Sequence, residues 1–168
     1  FNKKKILFIR SKNPRDTLSY AASILYKQKP KNIVAVTGTN GKTSIANFYY
    51  QILNLNKIPV ASIGTLGVLS KKFKKKTYNP SIDPIKTHEY LNKLKRLNVN
   101  NIILEASSHG LKQSRLNYIN IDTAIFTNLT RDHLDYHKTL KDYINSKFIL
   151  FENLLKKQGN IIYNYKSK

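Results

Sequence analysis

The sequence predicts an α/β fold built on a parallel sheet in three layers. Short runs rich in Val, Ile and Ala alternate with longer segments in which apolar residues recur every three or four positions. These are the patterns of buried strands and of amphipathic helices, and their alternation is typical of a parallel sheet with helices on both faces. A third observation is the glycine-rich turn "TGTNGKT" at 37–43, which links a predicted strand to a predicted helix and has the composition of a phosphate-binding loop.

Composition limits the class of protein. With 168 residues, 40% of them hydrophobic, the chain is long enough for one globular unit with a core. It has no Cys, so a disulfide framework and a thiolate metal site are both excluded, and a reducing compartment such as the cytoplasm is expected. No apolar run reaches the length of a signal-peptide core or a membrane span, so we expect a soluble protein without a membrane partner.

The net charge of +21 raises the question of a nucleic-acid partner. The lysines are spread over the whole chain and occur with many Asn and Ile, and the densest run, "KKFKKK" at 71–76, lies where a hairpin or loop tip is expected. This distribution favours a solvated surface over a nucleic-acid patch, so no specific nucleic-acid partner is expected. A basic nucleic-acid-binding module with a vestigial phosphate loop stays as the alternative.

The elements follow in order along the chain. Residues 13–30 predict a short helix closed by Pro30, after an edge strand "KILFI" at 5–9, and we interpret residues 1–30 as the end of an earlier domain and a linker. The segment 32–38 predicts a strand, and Thr43 to Asn54 predicts a helix. Its apolar face is formed by Ile45, Phe48, Tyr49 and Ile52.

The second half continues the alternation. Residues 58–64 predict a strand, and residues 83–98 predict a helix with Asp83 as N-cap and Pro84 at its first position. Its apolar positions are Ile85, His88, Leu91 and Leu94. The remaining predictions are strands at 100–107 and 121–128, a long helix at 140–157, and a last strand at 160–164. Polar clusters follow several of the strand ends, where such sheets bind ligands.

The loop at 37–43 lacks one glycine of the usual phosphate-loop pattern, since Val36 stands five positions before the Gly-Lys-Thr. Gly38 and Gly41 can still form the turn, Lys42 can meet the phosphates, and Thr43 can supply a hydroxyl to magnesium. We therefore predict a shorter kind of nucleotide loop. Its predicted contacts are Gly38, Thr39, Asn40, Gly41, Lys42, Thr43 and Ser44.

Three motifs carry a family resemblance: "VTGTNGKTS", "LEASSHGLKQSRL" and "FTNLTRDHLDYHKTLKDYINSKFILF". In this order and spacing, over residues 32–164, they resemble the central ATP-binding domain of the Mur ligases, and within that family the MurE type. The resemblance implies a bacterial, cytoplasmic enzyme that uses ATP and Mg²⁺ to activate the D-Glu carboxylate of UDP-MurNAc-L-Ala-D-Glu as an acyl-phosphate. A diamino acid then forms the amide bond; meso-diaminopimelate is the commoner one in the family, and L-lysine stays open because the residues that select the amine would lie outside this chain. Another Mur-type or folylpolyglutamate-type ligase is the alternative.

The resemblance also implies roles for particular residues. The magnesium ligands would be Thr43, Glu105, His133 and a carbamate on Lys147, with Lys42, His133 and Lys147 serving catalysis. From the residues alone, a carboxylate that ends an apolar strand is poorly explained by packing, which supports Glu105 as a ligand. A lone His is more often structural, and Lys147 falls on the polar side of its helix, where a solvated lysine is the default.

The substrate would be bound by Asn79, Pro80, Ser81, Ser107, Gln113 and Arg115. Arg115 suits a carboxylate or phosphate, because its planar fork can contact two oxygens at once. Pro80 departs from the family pattern, since it replaces a hydroxyl donor and has no N–H.

Mur ligases have three domains, which sets an expectation for the extent of this chain. Residues 31–168 would be the first part of the central domain, and the C-terminal domain that binds the amino acid would be absent. We expect a fragment that does not ligate alone, from a protein that is monomeric when complete.

Overall fold

The computed structural model describes residues 9–77, 80–130 and 134–165. Its strands are β1 (Asn32–Thr37), β2 (Val60–Gly64), β3 (Gly67–Ser70), β4 (Asn101–Glu105), β5 (Ile121–Phe126) and β6 (Leu155–Tyr163). Its helices are α1 (Pro14–Leu25), α2 (Lys42–Leu55), α3 (Pro84–Arg96), α4 (Ser108–Lys112), α5 (Leu134–His137) and α6 (Leu140–Ile149), the last continuing into a π-helical turn over Leu150–Leu154.

The strands form one six-stranded sheet in the order β3-β2-β4-β1-β5-β6. The pairs β2–β4, β4–β1, β1–β5 and β5–β6 are parallel, as predicted. The prediction of an entirely parallel sheet is wrong at one edge, where β3 runs antiparallel to β2. A tight turn reverses the chain there, and Gly67 completes it with a φ of 93° that favours glycine.

Helices cover both faces of the sheet, which confirms the three-layer prediction. Alternate residues of β1 point to opposite sides, so that Val34 and Val36 pack with Ala46 of α2, while Ile33 and Ala35 join the larger core on the other face. That larger core includes Leu91 and Leu94 of α3, Leu111 of α4, and Leu150 and Leu154 of the π-helical turn. The crossover helices therefore enclose the central strands from both sides.

The helix α3 begins as the sequence predicts, whereas the apolar face predicted for α2 is only partly correct. The Asp83 side chain accepts a hydrogen bond from Lys86 N at 3.0 Å and so caps α3. In α2, Ile45 and Tyr49 pack on the sheet, but Phe48 and Ile52 are exposed. In α3, likewise, Ile85 is exposed while the other three apolar positions are buried. In each helix, fewer positions are buried than the apolar pattern of the sequence predicts.

The long helix predicted over 140–157 is too long. Regular α-helix ends at Ile149, the π-helical turn follows, and β6 already begins at Leu155. Leu155 pairs with Ile121, and the Lys156 ammonium bonds the Asp122 carboxylate at 2.5 Å, so contacts with β5 hold this segment extended. Pairing between strands thus prevails over a leucine spacing that also suits a helix.

The strand β6 lies at the edge of the sheet opposite β3. Among the described residues its strand partner is β5 alone. Ile161, Ile162 and Tyr163 are each more than half exposed. Phe126, Phe148 and Phe151 lie beside Ile161 and Tyr163 around a shallow apolar groove.

The helix α1 packs against α3. The Ser19 hydroxyl donates to Asn117 O at 3.0 Å, and the Asp16 carboxylate accepts from Asn117 Nδ2 at 2.7 Å and from Tyr118 OH at 2.8 Å. The predicted helix is therefore present, but most of the predicted edge strand at 5–9 lies outside the described residues. No helix in the described ranges is long and apolar enough to cross a membrane.

A buried histidine on α3 lies near these contacts. His88 is fully buried, with Nε2 3.1 Å from Asn117 O, and its Nδ1 has no hydrogen-bond partner within the described ranges. Burial, followed by the charge of Lys29, lowers the pKa of His88 to about 4. The ring is therefore neutral in the folded chain near pH 7.

We expect the protonation of His88 to weaken the fold in acid. Its pKa falls from 6.5 in the unfolded chain to about 4 in the folded chain, so the unfolded state binds the extra proton between these values. Stability is therefore complete above pH 6.5 and declines as the pH falls towards 4, by about 3 kcal/mol in total. Urea unfolding of the wild type and His88→Asn across this range measures the effect. Parallel pH profiles for the two chains would contradict it.

Candidate functional site

The phosphate-loop candidate connects β1 to α2 at the carboxyl end of the sheet. Gly38 and Gly41 have φ values of 142° and 84°, which favour glycine. A Cβ at Gly38 would lie 1.8 Å from Thr127 Oγ1, so the loop requires glycine there for space as well. From the next residue, Asn128 O accepts a hydrogen bond from Thr39 N at 3.0 Å. Residues that follow β5 thus hold the loop in position.

Lys42 bends back over this loop from the first turn of α2. Its ammonium donates to Gly38 O at 2.9 Å and to Thr39 O at 2.7 Å. The fourteen-residue helix α2 starts at this point, so its N-terminal N–H groups and the lysine both bring positive charge to the loop. Such an arrangement is suited to phosphate groups.

A buried carboxylate lies next to the loop on the neighbouring strand. Glu105 is the last residue of β4, pairs in register with Val36, and is only 3% exposed. Its Oε2 accepts hydrogen bonds from Thr43 Oγ1 at 2.9 Å and from Thr65 Oγ1 at 3.0 Å. Thr65 N donates to Oε1 at 2.9 Å. The two predicted residues, Thr43 and Glu105, are therefore in contact.

Thr65 was not among the residues predicted from sequence. It follows the last residue of β2 directly, and its hydroxyl lies 3.3 Å from that of Thr43. The signal that could have identified it is its position, because a hydroxyl at the carboxyl end of a parallel strand next to β4 must lie near Glu105.

Lys147 is buried. From the residues alone a solvated lysine was the default, whereas the family resemblance placed Lys147 at the metal site. It is 1% exposed, its ammonium donates to Gly38 O at 2.7 Å, and it lies 4.3 Å from the centre of the Tyr143 ring. Tyr143 is one helical turn earlier on α6, so both side chains share the face that packs on the loop. The Tyr143 hydroxyl in turn lies 3.0 Å from Thr39 Oγ1.

Four described residues predicted to bind substrate form a second group: Ser81, Ser107, Gln113 and Arg115. A hydrogen bond to the backbone oxygen of Glu105 joins this group to the residues around the loop at 37–43. Ser81 Oγ donates to Glu105 O and accepts from Ser107 N, both at 3.0 Å. Arg115 Nη1 donates to Ser81 O at 2.5 Å, and its Nη2 donates to Gln113 Oε1 at 2.6 Å. Hydrogen bonds thus connect all four of these residues.

A basic cleft of about 390 Å³ opens beside Arg115. Lys75, Lys76 and Lys86 line it together with Asp83.

Pro80 is half-buried and Ser44 is exposed at the start of α2, whereas Asn79 and His133 lie outside the described residues.

The donors available to a metal ion at this site are mostly oxygen atoms. No group of three His, Asp or Glu side chains suited to a metal occurs in residues 9–77, 80–130 and 134–165. The Thr43 hydroxyl and the Glu105 carboxylate nevertheless meet beside the loop. One carboxylate, a hydroxyl and the phosphates of a nucleotide are the ligands that Mg²⁺ commonly takes, so the donors present fit that ion.

A family model and individual relatives of known name point to the same family. The family model for the Mur ligase middle domain matches residues 36–168. A protein from Brucella melitensis, named UDP-N-acetylmuramoyl-L-alanyl-D-glutamate–2,6-diaminopimelate ligase, is 44% identical and covers 86% of this chain, while the match covers 30% of that protein. A protein of the same name from Rickettsia bellii is 40% identical over 95% of this chain and 34% of its own length.

Solved structures agree in fold. A structure with that same ligase name matches with a TM-score of 0.73 and 29% identity, over 91% of this chain and 36% of the other. The MurF ligase of Thermotoga maritima in complex with ADP has a TM-score of 0.63 at 20% identity, over 99% of this chain and 35% of the other, which is a likeness of fold. This chain spans about a third of the length of these proteins.

The contact between Gly64 and Glu105 gives a test of the site geometry. A Cβ at Gly64 would lie 2.1 Å from Glu105 Oε1, so Gly64→Ala must displace the carboxylate from its threonine donors. We expect the free energy of unfolding to fall by about 1–3 kcal/mol, as in other overpacked sites. Urea unfolding measures this loss.

The matched control is the same substitution in a Glu105→Ala background. The clash is absent there, and Ala in a strand is favoured over Gly by roughly 0.5–1 kcal/mol, so the loss should disappear. An equal loss in both backgrounds would show that Glu105 does not occupy the space beside Gly64.

Proposed function

The chain belongs to the Mur ligase family, whose middle domain it matches, and on that premise we propose that it carries the nucleotide site of an ATP-dependent amide-bond ligase of peptidoglycan precursor synthesis. The proposed reaction joins a diamino acid to the D-Glu of UDP-MurNAc-L-Ala-D-Glu. The observation that carries the proposal is the convergence of Lys42, Thr43, Glu105 and Lys147 on one glycine loop.

The proposed chemistry has two steps. A carboxylate oxygen of D-Glu attacks the γ-phosphorus of ATP, and ADP leaves, so that an acyl-phosphate forms. The amine of the diamino acid then attacks the acyl carbon, phosphate leaves, and an amide bond results. Because the first step brings two anions together, the site must supply positive charge in advance. Lys42 and the start of α2 provide it at the loop.

Magnesium would be held by Thr43 and Glu105 together with the nucleotide phosphates, and His133 is proposed as a further ligand from the family resemblance alone. When bound, the ion would neutralise charge on the phosphates. Thr43 and Glu105 are already in hydrogen-bond contact, so few side chains would need to move to present their oxygens. Thr65, which shares the Glu105 carboxylate, would hold that group in place.

The burial of Lys147 supports its proposed modification to a carbamate. Carbon dioxide adds to a neutral amine, and removal from water disfavours the ammonium form of any lysine. The product is an anion with two oxygen atoms, which suits a metal far better than an ammonium does. Gly38 O, only 2.7 Å from the amine, ties this position to the phosphate loop.

Substrate recognition is proposed for the group around Arg115, which Ser81, Ser107 and Gln113 surround. Asn79 and Pro80 complete this set by resemblance. Arg115 is oriented by Gln113 and by Ser81 O and borders a cleft with three lysines, so an anionic substrate would meet a positive field there. Pro80 cannot offer the hydroxyl that the family pattern has, so Ser81 would carry that contact alone.

The relatives reported above are named for 2,6-diaminopimelate, which supports this diamino acid over lysine. The proposal also assigns residues 1–30 to the end of a UDP-binding domain and residues 31–168 to the first part of the ATP-binding domain. A cytoplasmic, monomeric enzyme is proposed for the complete protein.

We expect the complete protein to form an amide from ATP, UDP-MurNAc-L-Ala-D-Glu and meso-diaminopimelate. Phosphate release and mass spectrometry of the product measure the reaction. L-lysine, a UDP-muramoyl tripeptide and a folate serve as competing substrates in matched assays. A preference for the folate or the tripeptide would identify another ligase of the same superfamily.

Lys42→Ala separates this proposal from the nucleic-acid alternative. It should abolish magnesium-dependent ATP binding while Lys27→Ala, at an exposed position on the surface, leaves it intact. Nucleic-acid binding that falls steeply with salt and survives Lys42→Ala would favour the alternative.

The carbamate predicts a chemical rescue. Lys147→Ala in the complete protein should lower kcat by at least about a thousandfold, since a group that acts in phosphoryl transfer is lost. Short carboxylic acids that occupy the vacated space should restore part of the activity, whereas short alkylamines should not. Unchanged turnover in the variant would remove Lys147 from the mechanism.

A further inference from the structure

A second buried histidine, His137, lies between the helices that carry the site. It is the last residue of α5 and is 0% exposed. Both ring nitrogens have partners: Nε2 lies 2.9 Å from Ser108 Oγ on α4, and Nδ1 lies 3.3 Å from Ser146 Oγ on α6. One imidazole therefore connects two helices that are distant in sequence.

The surrounding hydrogen bonds determine which nitrogen carries the proton. Ser146 Oγ donates to Asp142 O at 2.7 Å, so its only hydrogen is already used and it can only accept from His137. Nδ1 must then be the protonated nitrogen, and the Asp142 carboxylate 3.5 Å away favours a proton at the same position. Nε2 is left as an acceptor for the Ser108 hydroxyl.

The protonation state of the ring agrees with this arrangement. Burial first, and then the neighbouring His109, lower the pKa of His137, although Asp142 opposes the shift. Near pH 7 the ring is therefore neutral, with one donor and one acceptor. The Nδ1 donor faces Ser146 Oγ, which accepts, and the Nε2 acceptor faces Ser108 Oγ, which donates.

The two serines adjoin residues of the candidate site. Ser108 follows Ser107 directly and lies three positions after Glu105, while Ser146 directly precedes Lys147. A shift of α6 relative to α4 would therefore change the separation of Lys147 from Glu105. The Ser108–His137–Ser146 link opposes such a shift.

Two tyrosine rings extend the connection on either side of His137. The Tyr136 ring centre lies 4.8 Å from that of His137, and its hydroxyl accepts from Gln113 Nε2 at 3.0 Å. The Tyr143 ring centre lies 5.2 Å away, and its hydroxyl reaches Thr39 of the loop. The histidine is thus packed between groups that contact the proposed substrate side and the phosphate loop.

We propose that His137 is a positioning residue, whose Nδ1-protonated ring holds α4 and α6 together through Ser108 and Ser146 and so fixes Lys147 against the phosphate loop. It does not touch the reacting groups. Its effect on turnover rests on the proposed ligase function, but its effect on geometry does not.

The first test is spectroscopic and independent of catalysis. In the complete, selectively labelled protein, the ¹⁵N resonances of His137 should identify Nδ1 as protonated and Nε2 as unprotonated at pH 7. His137→Ala should also change the carbonyl ¹³C resonance of Gly38, since the bond from Lys147 is displaced. A ring protonated at Nε2, or a Gly38 resonance that the substitution leaves unchanged, would overturn the proposal.

The second test is kinetic and has a matched control. His88 is another fully buried histidine, but it lies on α3 and contacts Asn117. We expect His137→Ala to lower kcat by about 10–100-fold, as the loss of a group that orients a ligand does. The KM for ATP should change by less than about threefold, because Lys42 and Thr43 are untouched. His88→Ala should lose comparable thermal stability with little change in kcat.

Conservative variants separate the two hydrogen bonds and protect the test against misfolding. His137→Asn keeps a donor near Nδ1 and His137→Gln keeps an acceptor near Nε2, so each should recover part of the kcat lost in His137→Ala. Equal kcat losses in His137→Ala and His88→Ala, with no recovery in the conservative variants, would reduce His137 to a core residue. A wild-type protein without ligase activity would reject the proposed function, and the spectroscopic test would still decide the role of His137.

Discussion

Two lysine ammonium groups meet at one backbone oxygen, and the arrangement of the site depends on this contact. Lys42 lies 2.9 Å and Lys147 2.7 Å from Gly38 O, although the two residues are more than a hundred positions apart in sequence. Cations this close repel one another, and the carbonyl oxygen that both contact offsets part of that repulsion. An anion placed nearby, or conversion of one ammonium into an anion, would reduce it further. The proposed nucleotide would be such an added anion, and the proposed carbamate would result from such a conversion.

The position of β1 in the sheet explains how such crowding is maintained. Because β1 lies between β4 and β5, its loop is bounded by Glu105 on one side and by Thr127 on the other. The lack of a side chain at Gly38 lets Thr127 approach closely, and the lack of one at Gly64 leaves room for the Glu105 carboxylate. The polar groups are held by backbone that the core fixes from both faces, so the site is preorganised.

Features that depend only on neighbouring residues could be predicted from the sequence. The glycine turn between β1 and α2 and the Asp83 cap each depend on neighbouring residues, and the family match confirms the fold that these features predicted. The place of Lys147 beside the loop was implied by the family resemblance, but its burial could not be predicted from the local residues, because it arises from how α6 packs on a loop far away in sequence. The early start of β6 has the same cause, since its extended form is set by pairing with β5. The strand β3 was not predicted, and its antiparallel direction depends on the turn that Gly67 completes. The placement of Asn79 and His133 lies outside the described residues, and their roles stay predictions.

The exposed edge strand β6 and the large positive net charge of the chain have opposite effects on its association with other copies. A strand that presents apolar side chains and open backbone groups is a template on which further chains can add as β-structure. Lys156 and Lys157 stand at the start of this strand, where charged residues hinder stacking of identical strands. A net charge of +21 adds long-range repulsion between chains, which has a reach of about 10 Å at 0.1 M ionic strength. Added salt would screen this repulsion and so favour association of the chains.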